Sequence, residues 1–186
     1  MLKRLLDVVK RLRKILDMEH MNWMISGALA IKLHGVNVKV KTIDILTDDE
    51  GAYTIGKALE STHRVIVPVD FRKIGNIIAH FGVFDIENIP INVIGNPIIS
   101  FQGILIKFDV KDLLSIANSL RVNDEVFLTP PLEWQLIYQK LTSSDNDLLY
   151  AIINFLKKNG YDEELFERLL QTLPKVVREE LKKLLL

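Results

Sequence analysis

Asn22-Trp-Met-Ile25, then Ser26-Gly27, then Ala28-Leu-Ala-Ile-Lys-Leu-His34 closed by Gly35, and after a short linker Lys41-Thr-Ile-Asp44-Ile-Leu-Thr47, form the stretch on which the reading of this chain turns. The first four residues predict a short apolar strand, and Ala28–His34 a helix that follows it at once. A strand that passes through Ser-Gly into a helix points free backbone N–H groups beyond the turn, which suits a phosphate and is reinforced by the helix dipole. An Asp on the neighbouring strand could hold the metal that accompanies such a phosphate. Asp44 stands among β-branched residues in an otherwise apolar strand. A buried carboxylate costs several kcal/mol unless paired or ligated, so it needs a partner. Lys39, Lys41 or a backbone amide could serve, as could a metal. Ser26 has a simpler alternative as the N-cap of the helix, with Gly27 a small residue that permits close packing.

Outward from that stretch, residues 1–18 place Leu2, Leu5, Leu6, Val9, Leu12 and Leu16 at helical spacing, with Lys3, Arg4, Lys10, Arg11, Arg13 and Lys14 between them. This predicts an amphipathic helix whose basic face could touch nucleic acid, or could simply be solvated while the Leu face packs on a sheet. From Ser61 to Ile104 there is no Leu while Ile and Val crowd in, which predicts a strand-rich middle. Strands are expected at 41–47, 63–69, 76–84, 90–95, 103–109 and 126–128, and helices at 51–61 and 111–119. After Pro130-Pro131 the Leu returns, and helices are expected over 131–142, 146–158, 162–173 and 174–185.

Composition excludes several classes. The 186 residues carry 24 Lys+Arg against 24 Asp+Glu, 48% hydrophobic residues and no Cys. Disulfide scaffolds, thiolate zinc sites and Cys nucleophiles are ruled out. No apolar run approaches the about 18 residues of a spanning helix, and the N-terminus lacks the uninterrupted apolar segment of a signal peptide. A cytoplasmic protein without membrane association is expected. His20, His34, His63 and His80 show no metal-ligand spacing. Gly51-Ala-Tyr-Thr-Ile-Gly56-Lys57-Ala58 has P-loop spacing, but Ala58 replaces the hydroxyl residue that would bind Mg²⁺ and the stretch reads as a helix.

Taken in order, the strand, Ser-Gly, short helix ending in Gly and Thr42-Ile-Asp44 resemble the nucleotidyltransferase superfamily that includes DNA polymerase β, closest to its minimal-nucleotidyltransferase and abortive-infection-toxin branches. Thr129-Pro-Pro-Leu-Glu133 through Lys140-Leu141 to Asp147 is similar to the pattern that opens the C-terminal helices of such proteins. The resemblance implies an α+β fold: a mixed β-sheet flanked by helices over residues 1–129, with a helical bundle packed on it over 130–186. It implies Mg²⁺-dependent transfer of a nucleoside monophosphate from an NTP to a hydroxyl on RNA, a protein or a small molecule. Asp44 would hold the metal, Asn92 would support it catalytically, and Ser26, Gly27, Thr42 and Lys140 would face the nucleotide.

The departures weigh against full activity. Residues i and i+2 on a strand share a face at about 6.5–7 Å, so the partner carboxylate of Asp44 belongs at position 46, which is Leu46. A third carboxylate is due on Pro90–Ile94, and its place holds Asn92. Val40 stands where many relatives carry a basic residue. Asp48 lies about 13 Å further along the strand, too far to share a metal, and is expected to cap the next helix. Asp70 or Asp85 could still fold into the site. Two readings follow: a divergent transferase of weak or lost activity, or a silent member that binds nucleotide, RNA or protein.

Overall fold

The computed structural model describes residues 2–18, 21–142 and 146–185; His20 lies outside them. In chain order the elements are α1 (Leu2–Met18), β1 (Trp23–Ser26), α2 (Gly27–Leu33), β2 (Ile43–Thr47), α3 (Asp49–Glu60), β3 (Arg64–Ile74), β4 (Ile77–Ile86), β5 (Ile89–Phe101) and β6 (Ile104–Lys107). They continue with α4 (Val110–Ser115), β7 (Asn118–Val122), β8 (Glu125–Thr129), α5 (Leu132–Thr142), α6 (Asn146–Asn159), α7 (Glu163–Gln171) and α8 (Lys175–Leu185). A six-stranded sheet runs β1-β2-β5-β4-β3 with β6 on β5, and β7-β8 form a separate hairpin. Only β2 and β5 are parallel among these pairs. No helix among the described residues is long and apolar enough to cross a membrane.

Side-chain alternation along β2 sorts the two faces. Ile43 and Ile45 join a buried cluster with Leu5, Leu12 and Leu16 of α1 and Ile55 of α3. Leu46 points the other way, into a cluster with Trp134 and Ile137 of α5 and the apolar stripes of α6–α8. Fully burying such a side chain is worth about 1.5–3 kcal/mol, so the fold rests on two apolar layers with the sheet between them. Helix α5 is buried almost all round, its polar residues Glu133, Gln135 and Gln139 included, as expected of a central helix. Glu133 Oε1 accepts from Asp162 N at 2.9 Å, which ties α5 to the start of α7.

The basic face of α1 is largely occupied. Arg11 pairs with Glu87 and Arg4 donates to the Glu87 carbonyl; Lys10 and Arg13 reach Glu125 at 3.5 and 3.7 Å. Four of the six basic side chains therefore fasten α1 to the sheet turn at Glu87 and to β8.

The elements depart from the sequence reading in several places, and the strand expected over 63–69 runs on to Ile74. Residues 111–119 do not form one helix: α4 stops at Ser115 and β7 begins at Asn118. The hairpin β7-β8 turns at Asn123, whose φ of 56° suits Asn. Strand β5, expected over 90–95, runs on through Pro97 to Phe101, because the pairing with β4 is irregular between Ile78 and His80 and position 97 has no partner there. The P-loop resemblance dissolves as expected. Gly51 and Gly56 lie inside α3, and a Cβ on Gly56 would meet Val69 Cγ2 at 2.7 Å, so this glycine serves helix-to-strand packing.

Candidate functional site

Pairing across the sheet aligns Ser26 on β1, Asp44 on β2 and Asn92 on β5 as direct neighbours. Asp44 Oδ1 accepts hydrogen bonds from Asn92 Nδ2 at 2.7 Å and from Thr42 Oγ1 at 3.2 Å. Oδ2 turns to Gly27, whose φ is +62° and on which a Cβ would sit 2.0 Å from that oxygen. Gly27 is therefore required twice, by its backbone conformation and by the closeness of the carboxylate. Asp44 has neither Lys39 nor Lys41 as an ion-pair partner, and its bonds come from an amide and a hydroxyl.

Protein encloses the Asp44 carboxyl on most sides, while the residue keeps an opening onto a cavity of about 720 Å³. Burial pushes its pKa up, against the two hydrogen bonds that pull it down. The Asp44 charge also reaches the buried phenol of Tyr138 on α5, whose pKa rises chiefly through burial and secondarily through Asp44. A carboxyl whose folded pKa is raised adds stability at low pH and loses it as pH climbs through that pKa. Asp44→Asn is therefore expected to raise Tm at pH 7, with the gain closing as pH falls toward 3.8, the ordinary Asp value. Thermal melts of both proteins between pH 4 and 7.5 test this, and a gain that ignores pH would refute burial of the charge as its cause.

The cavity is walled by Gly27 and Ala28 on one side, by Lys39, Lys41, Thr42 and Asp44 along the approach to β2, and by Gln139, Asp147, Leu148 and Ala151 of α5 and α6. Of the expected site residues, Gly27, Thr42 and Asp44 face it. Ser26 does not. It occupies the N-cap position of α2 without a side-chain cap bond, is buried, and its Oγ accepts from Gln135 Nε2 at 3.4 Å. Asn92 stands behind Asp44 as its hydrogen-bond donor. Lys140 points away from the cavity and pairs with Glu180 on α8 at 3.8 Å, because one residue along a helix rotates the side chain by about 100° and it is Gln139 that faces inward.

The remaining acidic candidates stay outside the site. Asp48 caps α3, its Oδ1 accepting from Gly51 N at 2.8 Å. Asp70 pairs with Arg72 on the edge strand β3, and Asp85 accepts from Asn88 N in the β4-β5 turn. Position 46 is filled by Leu46, 1% exposed and within the α5 cluster. Two-metal catalysis needs ions about 3.5–4 Å apart, held by enough negative charge to offset their repulsion. Among the described residues no group of three or more His, Asp or Glu could hold a metal ion. Asp44, already bonded by an amide N–H₂ and a hydroxyl, with Asp147 on the α6 wall as the other carboxylate of the cavity, does not make the converging set that a two-ion Mg²⁺ centre needs.

Sequence reasoning offered Lys39 and Lys41 only as partners of Asp44 and Asp147 only as part of a family pattern, and did not foresee that they, with Leu148 and Ala151, wall the cavity. The lysines lie in a non-periodic linker, and the α6 wall depends on how α6 packs, which no local pattern encodes.

Comparison with solved structures agrees with this architecture. TM1012 of Thermotoga maritima, assigned provisionally as a nucleotidyltransferase, is 26% identical, with 92% of this chain and 95% of that one covered at a TM-score of 0.64. ANT(2″)-Ia in complex with adenylyl-2″-tobramycin shares the fold at 11% identity, with 95% and 96% covered and a TM-score of 0.56. The lincosamide adenylyltransferase LnuA, lincomycin-bound, does so at 13% identity, 81% and 94% covered, with a TM-score of 0.51. No curated protein matches the chain significantly. The family described as aminoglycoside-2″-adenylyltransferase matches residues 5–103, just over half of the 186. With its mixed sheet, Gly27 turn and Asp44 in register with Ser26 and Asn92, the chain belongs to that family, within the nucleotidyltransferase superfamily.

Proposed function

We propose that this protein binds a nucleoside triphosphate in the Asp44 cleft and that its nucleotidyl-transfer activity is weak or lost. The observation that carries this reading is Leu46, packed into the α5 cluster at the position where a second carboxylate would face the cleft. The cavity volume of about 720 Å³ is that of a small-molecule site. The phosphates would lie toward the Gly27 turn and the lysines, and the base toward Leu148 and Ala151, where the wall is apolar. Asp147 would accept hydrogen bonds from sugar hydroxyls. The same lysines oppose a polycationic acceptor such as an aminoglycoside, since like charges across a cleft repel.

Calorimetric titration of the full chain with each of the four NTPs tests the reading, alongside a pyrophosphate-release assay with hydroxyl acceptors. At least one NTP is expected to bind saturably, with Ala151→Trp blocking it by filling the cleft and release staying at the buffer rate. Absence of binding by all four NTPs would refute the nucleotide site. Turnover at an ordinary enzyme rate would refute the loss of activity.

A further inference from the structure

Lys39 and Lys41 flank Val40, which is 6% exposed and anchored in the α1 cluster. The segment is further held by Lys32, whose Nζ donates to the Val38 carbonyl at 3.0 Å. Val40 is buried while the lysines on either side of it are exposed, and both lysines line the Asp44 cavity. Neither has an ion-pair or hydrogen-bond partner among the described residues, whereas Lys111 pairs with Asp48 and Lys140 with Glu180. Two unpaired cations thus stand on the wall that leads to a site whose carboxylates at 46 and 92 are replaced by Leu and Asn.

We propose that Lys39 and Lys41 supply the positive charge that divalent ions would otherwise bring, so that the cleft binds a nucleoside triphosphate as the metal-free anion. This rests on the nucleotide-binding reading above. The two changes reinforce each other. Leu at 46 and Asn at 92 offer no carboxylate to the ions, and they also leave a weaker negative field against a bare triphosphate, set by Asp44 and Asp147 alone among the cavity walls. The ammonium groups, each a compact point charge with three donors, then face the phosphates directly.

The test is calorimetric titration of ATP, GTP, CTP and UTP into the full chain, once with excess EDTA and once with Mg²⁺, the variants being compared with the NTP that binds most tightly. Wild type is expected to bind no more weakly in EDTA than in Mg²⁺. Lys39→Gln/Lys41→Gln is expected to lose about tenfold or more in EDTA, and Lys41→Glu to lose more than Lys41→Gln. Asp44→Asn is expected to bind as well as wild type or more tightly in EDTA, because it removes a charge that opposes phosphate. Both lysines are exposed, so unchanged thermal melts will show that the variants fold. Binding that requires Mg²⁺ and disappears in Asp44→Asn would overturn the lysine proposal while leaving the nucleotide site standing. Absence of ATP, GTP, CTP and UTP binding in either buffer would overturn both.

Discussion

Leu46→Asp is expected to cost about 3–5 kcal/mol of unfolding free energy, the price of leaving a buried charge without a partner. The protein would sit near the edge of unfolding, since domains of this size hold only about 5–15 kcal/mol in total. Leu46 is 1% exposed and shares its cluster with Trp134, Ile137 and Leu141. A carboxylate there would lose the Leu contacts with α5 and sit in a predominantly apolar cluster. Urea denaturation at pH 7.5 measures the loss. Lowering the pH toward 4 is expected to recover part of it, because protonation removes the charge. A loss below about 1 kcal/mol would mean that position 46 can open to the cleft. The second carboxylate would then be one substitution away, and the claim that packing against α5 commits position 46 to an apolar residue would fail.

This outcome bears on what the sequence could say. The period-2 pattern of Ile43-Asp44-Ile45-Leu46 is local, so it identified the face that carries Asp44, and it placed at position 46 the second carboxylate that the family resemblance implied. Gly27 was legible as a small residue at a strand-to-helix turn, whereas its left-handed backbone and its closeness to Asp44 Oδ2 emerge only in the structure. The Ser26 hydroxyl was not legible, because its bond to Gln135 joins residues 109 apart in sequence. Lys140 was chosen for its charge, yet the rotation of α5 decides which residue faces the cleft, and that is set by burial around the whole helix. Hairpin β7-β8 left a faint signal, Asn123-Asp124 between alternating residues, hidden by the Leu pair at 113–114 that drew the helix reading onward.

Gly27→Ala is expected to be the second severe change, and its cost has two separable sources. A φ of +62° in a residue with a Cβ costs about 1–3 kcal/mol wherever it occurs. The added methyl also meets Asp44 Oδ2 at 2.0 Å and Cγ at 3.0 Å, and that carboxyl is held on its other side by Asn92 and Thr42. Overpacking of this kind adds about 1–3 kcal/mol. A double-mutant cycle with Asp44→Ala divides the two, because truncating Asp44 at Cβ removes both crowded atoms and leaves the backbone term untouched. Gly27→Ala is expected to cost distinctly less in the Asp44→Ala background than in wild type, with the coupling read from urea midpoints at constant m. Equal costs in both backgrounds would show that Asp44 has room to swing aside. In that case the tight seat of the carboxylate against the turn is not what holds it at the cleft, and Gly27 serves the backbone alone.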